Sequence, residues 1–313
     1  MTEIDKRASE CGIDLSADLA GICLKNPICT ASGTFSARES GQFYDISELG
    51  AAVTKGVAAE PWMGNETPRI AETYGGMLNS VGLQNPGAQV YMEEELPFLR
   101  QFDTKIITNI AGHSIDEYCE AVQMLNGCPE IAMFEVNISC PNVSEGGIAF
   151  GTDPAMAEKV TAEVKKVSKK PVMIKLTPNV TDITEIARAA EAGGADAISL
   201  INTLLGMRID LKKRRAVLAR KVGGFSGPAV KPVALRMVWQ TANAVNIPVL
   251  GMGGISTGTD AAEFLAAGAC AVSIGTAALS DPSAPVRIKA ELLEFMRENG
   301  FENISELKRA FDI

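Results

Sequence analysis

The sequence contains a single histidine, and none of its seven cysteines stands in a Cys-x-x-Cys pair. One histidine excludes a metal site built from several histidines, and it leaves one candidate for a Ser-His-Asp triad. Without Cys-x-x-Cys pairs, zinc ribbons, thioredoxin-type redox motifs and the usual iron–sulfur loops are disfavoured. We therefore predict no metal site, and we interpret His113 as a loop residue that precedes a helix.

Long apolar runs and an excess of positive charge are also missing. No run approaches the ~18 apolar residues of a membrane span, and the polar start of the chain is unlike a signal peptide. The net charge of -9 argues against nucleic acid or an anionic membrane as a partner. An odd number of cysteines in a chain without a signal peptide fits a reducing compartment, so we predict a cytoplasmic location.

What the sequence does contain is a regular alternation of short apolar runs and amphipathic stretches. Apolar runs of strand length lie at residues 27–31, 51–55, 106–110, 132–137, 172–176, 197–201, 248–252 and 271–274. Apolar residues at three- and four-residue spacing predict helices at residues 152–168, 181–192, 231–245 and 257–267. Asp153-Pro154 and Thr257 are typical helix starts.

Eight strands that alternate with helices predict an α/β fold, an eight-stranded parallel (β/α)8 TIM barrel that forms one domain over residues 1–313. An apolar run at 19–24 predicts a strand of a short N-terminal hairpin that closes one end of the fold. The long connection 56–104 is expected to place inserted loops over the C-terminal face. A doubly wound sheet is the alternative, and the absence of a G-x-G-x-x-G after any strand disfavours it.

Polar side chains close or follow five of the apolar runs, at the strand ends where such barrels carry their chemistry. These residues are Lys55, Asn109, Asn137, Lys175 and the pair Asn202-Thr203. One such lysine could belong to a structural ion pair, but two lysines beside several asparagines favour a binding site.

Glycine-rich turns follow the last two strands, at Gly253-Gly254 and Gly275-Thr276. Backbone N–H groups exposed in such turns bind phosphate, and the loops after strands seven and eight are the recurrent phosphate site of this fold. The turns could be tight turns and nothing more, but their paired positions favour a phosphate-bearing cofactor or substrate. The segment 223–228 could form a lid or a further cofactor contact.

The segment Asn137-Ile138-Ser139-Cys140-Pro141-Asn142 leaves the fourth strand and turns at the proline. Its asparagines offer paired donors and acceptors, which suit an amide-rich ligand. A thiol between them could act as a nucleophile or a proton carrier if its pKa were tuned. The alternative is a buried free cysteine beside a turn.

Several motifs together resemble one family, the dihydroorotate dehydrogenases, nearly from end to end. The motifs are Asn26-Pro27 with Ala31-Ser32-Gly33, residues 79–87, 137–143, 175–179, 201–204 and 223–232, and Gly275-Thr276-Ala277. The likeness is greatest to the catalytic subunit of the NAD-linked, class 1B type. The membrane-attached class has a serine at the position of Cys140.

The resemblance implies a set of site residues. Cys140 would be the catalytic base. FMN would be bound by Ser32, Lys55, Gly56, Asn109, Asn137, Lys175, Ile201, Gly227, Gly253, Gly254, Gly275 and Thr276. The pyrimidine would be bound by Lys55, Asn79, Ser80, Val81, Gly82, Leu83, Asn137, Asn142, Asn202 and Thr203.

The implied reaction is oxidation of dihydroorotate to orotate in pyrimidine biosynthesis, with the C5 proton passing to Cys140 and the C6 hydride to FMN. Because this chain has no dinucleotide fingerprint, electrons would have to reach NAD through a partner. The resemblance implies that this partner is a small subunit that carries FAD and a 2Fe-2S iron–sulfur cluster. A homodimer of this chain would form the core of a heterotetramer. The alternatives are a soluble fumarate-using relative, a flavin-free barrel enzyme acting on a phosphorylated substrate, and a non-catalytic barrel.

Overall fold

Eight parallel strands close into a barrel in the computed structural model, which describes residues 2–139, 144–145 and 148–313. Neighbouring strands follow chain order around the barrel, and the last strand pairs with the first. The strands are β1 (Ile28–Thr30), β2 (Ala51–Val53), β3 (Lys105–Ile110), β4 (Ile131–Asn137), β5 (Val172–Lys175), β6 (Ala197–Leu200), β7 (Val249–Met252) and β8 (Ala271–Ile274). Each overlaps the run predicted for it, so the barrel is confirmed and the doubly wound sheet is wrong.

Helices cover the outside of the barrel. They are α1 (Glu3–Glu10), α2 (Ala37–Ser40), α3 (Ala88–Val90), α4 (Leu96–Leu99), α5 (Ile115–Leu125), α6 (Pro154–Val167), α7 (Ile183–Ala192), α8 (Lys231–Ala242), α9 (Gly258–Ala266), α10 (Ala277–Ser280), α11 (Ala284–Asn299) and α12 (Ile304–Arg309). Short 3-10 turns lie at Ile46–Glu48 and Pro228–Val230, and a π-helix lies at Tyr91–Glu95.

The helix starts that the sequence predicted carry side-chain caps. Asp153 accepts a hydrogen bond from the backbone N–H of Met156 at 2.9 Å, and Thr257 accepts one from that of Asp260 at 3.1 Å. Each cap satisfies an N–H group that has no partner inside its own helix. Within the described ranges, no helix is both long and apolar enough to cross a membrane.

An N-terminal hairpin closes the lower end of the barrel. Its strands are Ala17–Leu19 and Ile22–Leu24, so the prediction of one strand over 19–24 is wrong. The chain reverses at Ala20 and Gly21, which have φ angles of 55° and 80°, and this left-handed turn divides the run. Leu19 and Leu24 are fully buried and join the apolar side chains that fill the barrel interior.

A four-stranded antiparallel sheet lies at the opposite end, and we call it the mouth sheet. Its strands, in sheet order, are Leu204–Met207, Val222–Ser226, Gly76–Asn79 and Ile70–Thr73. They come from the connection between β2 and β3 and the connection between β6 and α8, as expected of loops inserted over the C-terminal face. Short two-stranded pairs join Ser144–Glu145 to Ile148–Ala149 and Ile209–Asp210 to Arg215–Ala216.

A buried ion-pair cluster joins the N-terminal helix to the outer helix layer. Lys289 of α11 is only 1% exposed, and its ammonium contacts the carboxylates of Asp5 at 2.5 Å and Glu48 at 2.7 Å. It also donates to the backbone oxygen of Glu48 at 3.0 Å. One buried cation therefore connects three segments that are far apart in the chain.

Replacing this cation should destabilise the protein. Lys289→Met leaves the carboxylates of Asp5 and Glu48 without their counter-charge, so we expect a loss of about 3–5 kcal/mol in the free energy of unfolding. Lys166→Met is the matched control, because it breaks an exposed lysine–glutamate pair on α6 and should cost less than about 1 kcal/mol. Urea denaturation of both variants tests this, and equal losses would contradict it.

Candidate active site

A cavity of about 540 Å³ opens between the C-terminal ends of the barrel strands and the mouth sheet. Its wall brings together most of the residues predicted from the sequence. These are Ser32, Lys55, Gly56, Asn79, Ser80, Val81, Gly82, Leu83, Asn137, Lys175, Ile201, Asn202, Thr203, Gly227, Gly253, Gly254, Gly275 and Thr276. Asn109 does not line the cavity, and Cys140 and Asn142 lie outside the described residues.

Hydrogen bonds among three polar residues orient the amide at the end of β4. The Oδ1 atom of Asn137 accepts from Ser139 Oγ at 2.6 Å and from Asn202 Nδ2 at 3.3 Å. Asn202 Nδ2 also donates to Ser139 Oγ at 2.6 Å. Because the oxygen of Asn137 is already bonded, its Nδ2 is the atom that can donate to a ligand in the cavity.

Two lysines supply positive charge to the same cavity. Lys175 ends β5, pairs in register with Asn137, and is 4% exposed. No carboxylate of the described chain forms an ion pair with it. Lys55 follows β2, and burial together with the nearby charge of Arg69 lowers its pKa below the usual value. Cations without carboxylate partners favour an anionic ligand.

The glycine turn after β7 comes close to the first residue of α8. Gly254 has a φ of +79°, and a Cβ placed there would lie 2.8 Å from the backbone nitrogen of Lys231. Only glycine fits this position without moving backbone. Within the described part of the chain, no acceptor binds the N–H groups of Gly254 and Thr276. Free N–H groups beside a turn suit an anion such as phosphate.

Two thiols of the barrel wall are unsuited to act as bases. Burial raises the pKa of Cys29 far above its usual value, and burial raises that of Cys270 to about 11. Both side chains therefore remain protonated at neutral pH. Within the described ranges, no group of histidine, cysteine and carboxylate side chains is arranged to hold a metal ion.

The sequence analysis missed several polar residues beneath and around the cavity. Ser139, described above, and Asn179, which donates to the backbone oxygen of Thr203 at 3.0 Å, hold the loops in place. Glu135 lies inside the barrel, two residues before Asn137, and bonds to Asn109 and Ser199. Glu135 could have been found from the sequence, because it is a charged residue within an apolar strand. Alternate residues of a strand share a face, so it lies on the same face as Asn137.

A closed parallel barrel with lysines, amides and glycine turns around one cavity at its strand ends defines a (β/α)8-barrel enzyme site. The Dihydroorotate dehydrogenase family model matches residues 14–296. The chain belongs to the dihydroorotate dehydrogenase family.

Similar proteins extend over almost the whole chain. A protein of Alkaliphilus metalliredigens is 58% identical over 95% of this chain and 98% of its own length. A protein of Alkaliphilus oremlandii is 59% identical over 94% of this chain and 97% of its own length. A protein of Geobacter sulfurreducens is 53% identical over 96% of this chain and 99% of its own length. All three are named dihydroorotate dehydrogenase B (NAD(+)), catalytic subunit.

A solved structure gives the same fold at low identity. The crystal structure of DHODH from Eimeria tenella in complex with ferulenol superimposes with a TM-score of 0.77 at 21% identity. The match covers 94% of this chain and 87% of that one. At this identity the likeness supports the barrel fold alone.

The depressed pKa of Lys55 should respond to the neighbouring arginine. Arg69→Gln removes a like charge, so we expect the pKa of Lys55 to rise toward the ordinary lysine value without reaching it, because burial remains. Arg69→Lys keeps the charge and should leave the pKa lowered. Reductive methylation with 13C-formaldehyde and NMR titration measures this, and a fall in the Arg69→Gln variant would contradict the assignment.

Proposed function

We propose that this chain oxidises dihydroorotate to orotate in pyrimidine biosynthesis, with FMN in the cavity and NAD as the final electron acceptor. The observation that carries the proposal is the cavity itself, which joins two lysines and several amides to glycine turns whose N–H groups at Gly254 and Thr276 have no acceptor among the described residues. The names of relatives that are 53–59% identical support the substrate and the acceptor. We propose residues 1–313 as one FMN-binding domain.

The residues around the cavity fit FMN. The turns at Gly253-Gly254 and Gly275-Thr276 would hold its phosphate through backbone N–H groups. The ring would lie against the strand ends, contacted by Ser32, Lys55, Gly56, Asn109, Asn137, Lys175, Ile201 and Gly227. When bound, FMN supplies the hydride acceptor for C6 of dihydroorotate. The ammonium of Lys175 would place positive charge beside the ring.

The substrate would occupy the part of the cavity nearer the mouth sheet. Lys55 would bind its carboxylate, and the side-chain amides would bind the carbonyl and N–H groups of the pyrimidine. The proposed contacts are Lys55, Asn79, Ser80, Val81, Gly82, Leu83, Asn137, Asn142, Asn202 and Thr203. Because the oxygen of Asn137 accepts from Ser139 and Asn202, its nitrogen would serve as a donor.

Cys140 is the proposed base, and its Sγ would take the proton from C5. The segment around Asn137 and Ser139 brings the chain to the cavity wall immediately before this residue. The raised pKa values of Cys29 and Cys270 argue against either of those thiols as the base. A thiol near a mouth with two lysines can ionise close to neutral pH.

Anaerobic mixing with dihydroorotate tests both the reaction and the base. The purified protein should be yellow, and dihydroorotate should bleach its flavin. Cys140→Ala should keep FMN and slow the bleaching at least ~100-fold, because general bases contribute about that much. Cys140→Ser should retain weak activity that rises at alkaline pH.

The matched control is Cys119→Ala, which removes a half-buried thiol on α5 and should leave the rate unchanged. Stopped-flow absorbance at several pH values gives the comparison. A Cys140→Ala variant that is reduced at the parent rate would remove the base assignment, and a parent that dihydroorotate never reduces would refute the reaction.

A partner subunit would carry electrons onward to NAD. We propose that the partner holds FAD and a 2Fe-2S iron–sulfur cluster, and that a homodimer of this chain forms the core of a heterotetramer in the cytoplasm. The phrase "catalytic subunit" in the names of the relatives supports a partner. The sequence also lacks a dinucleotide fingerprint and Cys-x-x-Cys pairs.

The chain purified alone should therefore reduce NAD poorly. Nicotinamide would need to stack on the flavin where the pyrimidine is expected to bind, so direct hydride transfer is disfavoured. Artificial acceptors should still reoxidise the flavin, and adding the partner should restore NADH formation. Rapid NAD reduction by the isolated chain would refute the two-subunit proposal, whereas rapid turnover with fumarate would favour the soluble fumarate-using relative.

A further inference from the structure

A buried carboxylate inside the barrel has no counter-charge within the part of the chain that the structure describes. Glu135 of β4 is 0% exposed, and no lysine or arginine of the described chain forms an ion pair with it. Its Oε2 accepts from Asn109 Nδ2 at 2.6 Å, and its Oε1 accepts from Ser199 Oγ at 2.6 Å. Burying an unpaired carboxylate is costly, and these two hydrogen bonds offset part of that cost.

The carboxylate determines which way the Asn109 amide points. The atom of Asn109 that faces Glu135 is the amide nitrogen, which donates to its Oε2 atom. The amide oxygen then faces the other way. Asn109 Oδ1 is a buried acceptor with no partner within the described chain, and a Cβ placed on Gly56 would lie 3.0 Å from it.

Gly56 connects this acceptor to the cavity. Gly56 lines the cavity wall, and Asn109 Oδ1 lies directly behind it, on the side where a Cβ of residue 56 would stand. An acceptor that is buried and unbonded in the protein indicates a donor on the ligand. The oxidised flavin ring has one N–H group, at N3, so that edge of the ring is the matching donor.

We propose that Glu135 is a positioning residue that locks the Asn109 amide with its oxygen toward the flavin, where it accepts from N3–H. This inference rests on the proposed function. Glu135 would act through Asn109 and contact neither flavin nor substrate. Its buried negative charge, one amide away from the ring, would also disfavour extra electrons on the flavin.

Replacing Glu135 with glutamine distinguishes orientation of the Asn109 amide from a role in packing alone. Glu135→Gln keeps the shape but can donate as well as accept, so the Asn109 amide is free to turn over. The double variant Glu135→Gln/Asn109→Asp reverses the hydrogen bond between the two residues. In it, the new amide donates to one oxygen of the new carboxylate, and the other oxygen restores the acceptor. Ser199→Ala is the matched control, because it removes the other bond to Glu135 and leaves Asn109 in place.

Titration of each apoprotein with FMN, followed by fluorescence quenching, measures the effect. Glu135→Gln should weaken binding about tenfold, as expected for one lost hydrogen bond to a buried acceptor. The double variant should recover to within about threefold of the parent, and Ser199→Ala should stay within the same range. The flavin midpoint potential of Glu135→Gln should shift to a more positive value, which loss of packing alone would not cause.

The outcomes separate this inference from the proposed function. A parent protein that binds no FMN would overturn both. If the parent binds FMN but Glu135→Gln has the same affinity for FMN and the same flavin midpoint potential, the role of Glu135 alone is overturned. A double variant that binds FMN no better than Glu135→Gln would overturn it as well. If Glu135→Gln does not fold, NMR of 15N-labelled FMN in the parent decides the question. An N3–H without a hydrogen bond would overturn the inference.

Discussion

Closure of the barrel is the constraint on which the site depends. Eight short parallel strands can close only if their ends lie at one rim, so residues far apart in the chain are brought together there. In the register of β4 with β5, Asn137 lies beside Lys175. The same alternation of side chains along β4 places Glu135 one layer deeper, beneath the cavity. Strand pairing therefore fixes the positions of the side chains at the cavity and of the side chains beneath them.

Much of this arrangement could be predicted because the informative signals are local. Parallel strands are buried on both faces and appear as continuous apolar runs, which is why all eight were found from the sequence. A polar residue that closes or follows such a run is expected at the rim, and Lys175 and Asn202 lie there. The glycine turn after β7 was recognisable for a similar reason, since Gly253 and Gly254 have φ angles of 128° and 79°, which favour glycine.

The features that were missed depend on pairing between distant segments. The run 19–24 is uniformly apolar apart from Gly21, and only the turn at Ala20 and Gly21 separates its two strands. The mouth sheet pairs Asn79 with Gly224, which are 145 positions apart. Asn109 was expected at the cavity surface, but the β3 strand ends one residue later and places it behind Gly56. None of these contacts has a signature in the local spacing of residues.

The hairpin at the lower end of the barrel affects how ligands enter and leave the cavity. Leu19 and Leu24 seal that end with fully buried side chains, so within the described chain the cavity is closed on the side of the hairpin. Two molecules that stack in a cavity closed at one end must leave in the reverse order of their arrival. With FMN in the deeper part and the pyrimidine nearer the mouth sheet, as proposed, FMN would be retained while the pyrimidine lies above it, and each turnover would exchange only the pyrimidine.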